Sequence, residues 1–155
     1  MSTHTATIRW SQKDGDDYPR GRYSRVHEIA FDGGVVVEAS GAPQNVPAQF
    51  SSSTSVDPEE LFVASLSSCH MLWFLDLARR AGVEILSYED QAEGVMGKTA
   101  AGRTAIVTVT LRPKVDCKGD SGLLAELHHK AHDACFIANS VTTEVVVEPV
   151  GGASE

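Results

Sequence analysis

The sequence predicts an α+β fold in the order βββ-α-ββ-α-β, with mostly antiparallel sheets around one long central helix. Three observations point to it. Short alternating runs separated by turn residues open the chain, one sharply capped apolar segment occupies its middle, and a second helix-like segment precedes a closing β-branched run.

Residues 5–10 alternate weakly, 12–18 form a polar Asp/Gly-rich turn, and runs 23–31 and 35–39 flank Asp32-Gly33-Gly34, a hairpin signal. A three-stranded antiparallel start follows. Residues 40–56 carry Gly41, Pro43, Pro47 and an unbroken run of five Ser/Thr without periodicity, which predicts a surface loop. A helix then starts at Asp57-Pro58-Glu59-Glu60. Asp57 is the N-cap, Pro58 loses nothing by lacking an N–H at the first helical position, and Glu60 completes a capping box. Up to Arg80 this segment bears Leu61, Phe62, Leu66, Met71, Leu72, Phe74, Leu75 and Leu77 around nearly its whole circumference, predicting a helix contacted on most faces. Gly82 ends it, after Arg79 and Arg80, which suit the negative helix terminus.

Runs 83–96 and 104–115, joined by a linker from Gly97 to Gly102, predict an antiparallel pair. Beyond a turn region at 117–122, residues 123–135 read as the second helix and 141–147 as the closing strand. The expectation is a single domain over 1–155. A central helix apolar all round, in so small a domain, is most simply covered by a homodimer.

Composition excludes some functions. With 13 Lys+Arg against 21 Asp+Glu, the chain lacks the clustered positive charge of a nucleic-acid-binding surface. No uninterrupted apolar stretch of roughly 18 residues occurs, and the N-terminus has neither a basic flank nor an apolar signal core, so a cytoplasmic protein with no membrane partner is expected. In that compartment three cysteines imply transient rather than structural disulfides.

Cys69 in Ser67-Ser68-Cys69-His70-Met71 and Cys135 in His132-Asp133-Ala134-Cys135-Phe136 lie on helix-like segments with histidines beside them. His128, His132 and Cys135, spaced i, i+4, i+7, line one helical face. Three chemistries can use this set. In a thiol peroxidase, one thiolate becomes a sulfenic acid and a second cysteine condenses with it. In a metal site, His128, His132, Cys135 and Cys69 would form a two-His, two-Cys tetrahedron. In a Cys–His hydrolase, His132 or His70 would activate Cys69, but neither an oxyanion-hole signal nor an orienting third group accompanies them. Against all three stands the ordinary use of cysteine as a small buried hydrophobe. Cys117 reads as a spare surface thiol in a turn.

The segments Asp57-Pro58-Glu59-Glu60-Leu61-Phe62-Val63-Ala64 with Ser67-Ser68-Cys69-His70-Met71, and Ala131-His132-Asp133-Ala134-Cys135-Phe136-Ile137-Ala138-Asn139-Ser140, resemble the OsmC/Ohr family of osmotically induced and organic hydroperoxide resistance proteins. The resemblance extends to the N-terminal strands and Phe31-Asp32-Gly33-Gly34. It implies a cysteine-based peroxidase acting on organic hydroperoxides, without a cofactor or metal, and recycled by an external thiol reductant such as a dihydrolipoyl protein. It also implies an intertwined homodimer with sites at the subunit interface. Carried over, the peroxidatic cysteine is Cys69, the resolving cysteine Cys135, and the family's glutamate Glu59. Its assisting arginine falls among Arg20, Arg22 and Arg25, with Arg25 preferred for its interval to the hairpin. Phe136 stands where many members have proline, and His70 where many have Phe, marking a Cys-His-Met branch. Non-catalytic redox sensing, small-molecule binding and metal binding remain the alternatives.

An ordinary thiol, with pKa about 8.5, is only a few per cent thiolate at neutral pH, so the arginine would stabilise the thiolate while Glu59 holds its guanidinium. On an unbroken helix Glu59 lies roughly 15 Å along the axis from Cys69 and about 80° round it. Either the helix breaks around residues 65–68 or Glu59 comes from the other subunit. Phe62, Met71, Leu72, Trp73 and Phe136 are available as pocket walls for an alkyl tail, or as plain core. His70 points about 100° away from Cys69 and reads as structural, whereas His132, one turn before Cys135, is the better placed accessory.

Overall fold

The computed structural model describes residues 1–151 and divides the chain into two compact units, Met1–Leu61 and Phe62–Glu155. In the first unit β1 (Ala6–Arg9), β2 (His27–Phe31) and β3 (Val36–Ala39) form the expected antiparallel sheet, with Ile8 opposite Ile29 and Ile29 opposite Val37. The Ser/Thr-rich loop returns so that Val56 bridges Ala39 in parallel.

Helix α1 (Pro58–Arg80) starts as its sequence dictates. The Glu60 N–H donates to Asp57 Oδ1 at 2.7 Å and the Asp57 N–H donates to Glu60 Oε2 at 3.0 Å, satisfying two otherwise orphaned donors. It runs without interruption through residues 65–68, so the first of the two alternatives for Glu59, a break in the helix, does not hold. Gly82, at φ +77°, closes it.

In the second unit the two long runs fold differently from one continuous hairpin. Run 83–96 splits into β4 (Glu84–Asp90) and β5 (Glu93–Lys98), and the next into β6 (Thr104–Leu111) and β7 (Pro113–Lys118). β4 pairs antiparallel with β7, and β5 with β6, in separate sheets. The physical cause lies at the split. Pro113 has no N–H for the ladder, and the Arg112 N–H turns to the Asp90 carboxylate at 2.6 Å. Helix α2 spans Leu124–Ala134, and β8 (Glu144–Val147) joins β6 in parallel, one exception to the antiparallel pattern.

Two apolar clusters fill this unit. Leu66 packs with Val109 and Leu111, and Phe74 and Ala78 pack with Val83, Leu127 and Ala131. Helix α1 comes so close to β5 that a Cβ on Gly94 would sit 2.6 Å from Val63 Cγ2. Cys117 lies within β7 and packs against the second cluster, which corrects its placement in a surface turn. The buried residues of α1 are Leu66, His70, Phe74 and Ala78, a single i, i+4 stripe, while Leu72 is 61% exposed. Phe62, Val63, Trp73, Leu75 and Leu77 flank that stripe and pack against the two clusters, so contact on most faces holds within one chain, and Ala64, Ser68 and Leu72 mark the strip left open.

Candidate functional site

Cys69 lies midway along α1, and Cys135 forms the C-cap of α2 with φ −65° and ψ 111°. Their side chains are neighbours, near enough for Cys69 to perturb the Cys135 thiol, and both are free. The sequence around Cys135 wraps its sulfur. Its N–H donates to the His132 carbonyl at 3.2 Å, and the Asn139 N–H returns to the Cys135 carbonyl at 3.0 Å. The Ala138 N–H points at Sγ at 3.4 Å. Burial nevertheless dominates and pushes the Cys135 thiol up to about 11; the Ala138 and Ile137 amides pull it down, and the neighbouring Cys69 adds to the rise.

The residue after Cys69, His70, is half of a buried histidine pair. His70 Nε2 and His128 Nδ1 share a hydrogen bond of 3.0 Å between imidazoles inclined by only 6°. Phe74 stacks on His128 with ring centres 4.0 Å apart. His70 and His128 are 1% and 3% exposed, and desolvation lowers each to about 4; His132 lowers His70 further while Asp90 opposes it, and His70 lowers His128. Asp90 accepts from the Ser67 hydroxyl, and together with burial it raises the pKa of Tyr88. Among the described residues, His70 Nδ1, His132 Nδ1 and Tyr88 Oη are buried without a hydrogen-bond partner. Sequence reasoning missed Ser67, Tyr88 and Asp90 altogether, and took His128 only as one member of a helical face. The available signal was His70 itself, which stands in the i, i+4 stripe where an apolar residue belongs.

The remaining predicted residues fall in several places. Trp73 meets Phe136 edge to face at 5.3 Å, and Phe136 is 67% exposed, so these two form an apolar rim directly after Cys135. Phe62 packs against the Leu66 cluster and Met71 is half-buried. In the first unit, Arg25 donates from Nη1 to the Gly21 carbonyl at 3.0 Å, and its guanidinium lies 3.7 Å over the Tyr23 ring. Arg20 is exposed and paired with Asp17 at 3.0 Å, and Arg22 is exposed. Glu59 is half-buried in the first turn of α1. Among the described residues no group of three or more His, Cys, Asp or Glu is placed to hold a metal ion, so Cys69, Cys135, His128 and His132 are not gathered as a tetrahedral set.

Comparison with known proteins finds similarities of sequence and of fold. The OsmC-like protein family matches residues 51–150. An OsmC-like protein of unknown function from Vibrio cholerae is 47% identical, covering 97% of this chain and 100% of its own, with a TM-score of 0.93. The organic hydroperoxide resistance protein OhrB of Bacillus subtilis is 24% identical over 96% of this chain and 98% of its own, with a TM-score of 0.70. An organic hydroperoxide resistance protein OsmC from Legionella pneumophila is 16% identical over 96% of both chains, with a TM-score of 0.68. These two similarities are of fold. No curated protein matches the sequence. With two thirds of its length matched by the family and a 47% identical relative aligned over nearly all of it, the chain belongs to the OsmC-like proteins.

Proposed function

We propose that this protein is a cysteine-based peroxidase that reduces organic hydroperoxides in oxidative-stress defence, in the cytoplasm, with 1–155 acting as one OsmC/Ohr-like domain. The observation that carries the reading is that two helices deliver Cys69 and Cys135 to one place, near enough for Cys69 to raise the Cys135 thiol. The Cys69 thiolate attacks the O–O bond and its sulfur takes one oxygen as a sulfenic acid. The other oxygen leaves as alkoxide and takes up the thiol's proton as the alcohol. Cys135 then condenses with the sulfenic acid, forming the S–S bond while its proton departs with the sulfenic hydroxyl as water. An external dithiol such as a dihydrolipoyl protein reduces the disulfide, and no cofactor or metal enters.

Following the family resemblance, Arg25 supports the Cys69 thiolate and Glu59 orients the arginine. Arg25 is favoured over Arg20, which Asp17 already occupies. Trp73 and Phe136, with Met71 and Phe62 behind them, are assigned to the alkyl tail, and His70 and His132 are accessory. The working form is a homodimer: an 18-residue window of α1 has mean hydropathy 1.5, yet only 22% of it is buried in one chain. The test is peroxide consumption with several alkyl hydroperoxides, hydrogen peroxide and different dithiol donors, with peptide mapping of the oxidised protein. Turnover of alkyl hydroperoxides and a Cys69–Cys135 linkage are expected. No consumption, or linkages through Cys117 alone, would remove the reading.

A further inference from the structure

We propose that the hydrogen-bonded pair His70–His128 sets the register of α1 against α2 at which Cys69 meets Cys135, so that both histidines are positioning residues for the dithiol. This rests on the dithiol reading of the site, but not on the identity of its oxidant. The buried stripe of α1 is apolar at Leu66, Phe74 and Ala78 and polar only at His70, the residue immediately after Cys69. Its partner on α2 is His128, two turns before Cys135. One hydrogen bond thus connects the two cysteine-bearing helices between the two apolar clusters.

Apolar contacts are non-directional and tolerate sliding, whereas a hydrogen bond between two ring nitrogens fixes distance and direction together. Stacking of Phe74 on His128 at 4.0 Å further restrains that ring. Burying two imidazoles where aliphatic side chains would fit is the pattern of a contact kept for register rather than for stability. The groups facing the pair are His132 from α2, and Tyr88 and Asp90 from β4; Asp90 is itself held by Ser67 and Arg112.

The readout is the equilibrium of the Cys69/Cys135 dithiol with glutathione, measured in a Cys117→Ser background. The double replacement His70→Leu/His128→Leu removes both partners at once and leaves no unpaired nitrogen. It is expected to keep the melting temperature within a few degrees while shifting the equilibrium about tenfold toward the dithiol, roughly 30 mV. His70→Gln and His128→Asn, whose amides take the places of Nε2 and Nδ1, are expected to stay within about threefold of the parent. His70→Asn, too short to reach His128, is expected to lose what His70→Gln retains, and this comparison stands even if the double leucine protein does not fold. A wild-type equilibrium in the double replacement, equal behaviour of the Asn and Gln variants, or a parent that forms no disulfide would each overturn the proposal. A parent that equilibrates with glutathione but consumes no hydroperoxide would defeat the peroxidase reading and leave the positioning role standing.

Discussion

Cys69 and Cys135 are neighbours but not interchangeable: Cys135 closes α2 in a turn whose Ala138 amide reaches its sulfur, and burial drives its thiol up. Cys69→Ser is expected to abolish peroxide reduction. Cys135→Ser should still consume one equivalent and stop as a sulfenic acid, trapped by dimedone in a single-turnover experiment; identical behaviour of the two variants would refute the assignment. The histidines make a separate prediction. Native His70 and His128 are neutral down to about 4, whereas the unfolded chain binds their protons from about 6.5. Stability should therefore be full above pH 6.5, fall as pH drops toward 4, and level off below, since the unfolded state alone takes up protons in that window. The urea midpoint followed across this range should show the slope, and the double leucine replacement should flatten it. Both cysteines were legible as a pair from their motifs. The His70–His128 bond was not, because helical periodicity assigns a face to each residue but gives no partner on another helix.

Among the elements, α1 was legible to its first residue because its cap is written locally in Asp57 and Glu60. Replacing Asp57 by alanine should cost about 1 kcal/mol, seen in thermal denaturation. Gly94 carries the opposite lesson: its reason lies 31 residues away at Val63. Gly94→Ala should destabilise by about 1–3 kcal/mol through overpacking, and Val63→Ala added to it should recover part of that loss in a double-mutant cycle. The strand runs were readable as β, but their division was not read, although Pro113 was a visible ladder-breaker. What fixes the break is the Asp90 carboxylate accepting from Arg112 and from Ser67 of α1, a tertiary contact with no local pattern.

For the whole molecule, the apolar circumference of α1 was legible, and a single chain leaves one strip of it open through Ala64, Ser68 and Leu72. Assembly into a homodimer should bury more than the about 1,200–2,000 Å² of an ordinary interface, and dilution to monomer should inactivate. A stable, fully active monomer in sedimentation at micromolar concentration would defeat this. The closeness of the two thiols has one more consequence, for information rather than for chemistry. A disulfide bond of about 2.05 Å would join two side chains that α1 and α2 already bring to the same place. Oxidised and reduced forms should therefore share one outline. Such a protein can pass electrons through its core many times while presenting its surroundings with almost nothing by which to tell which state it is in.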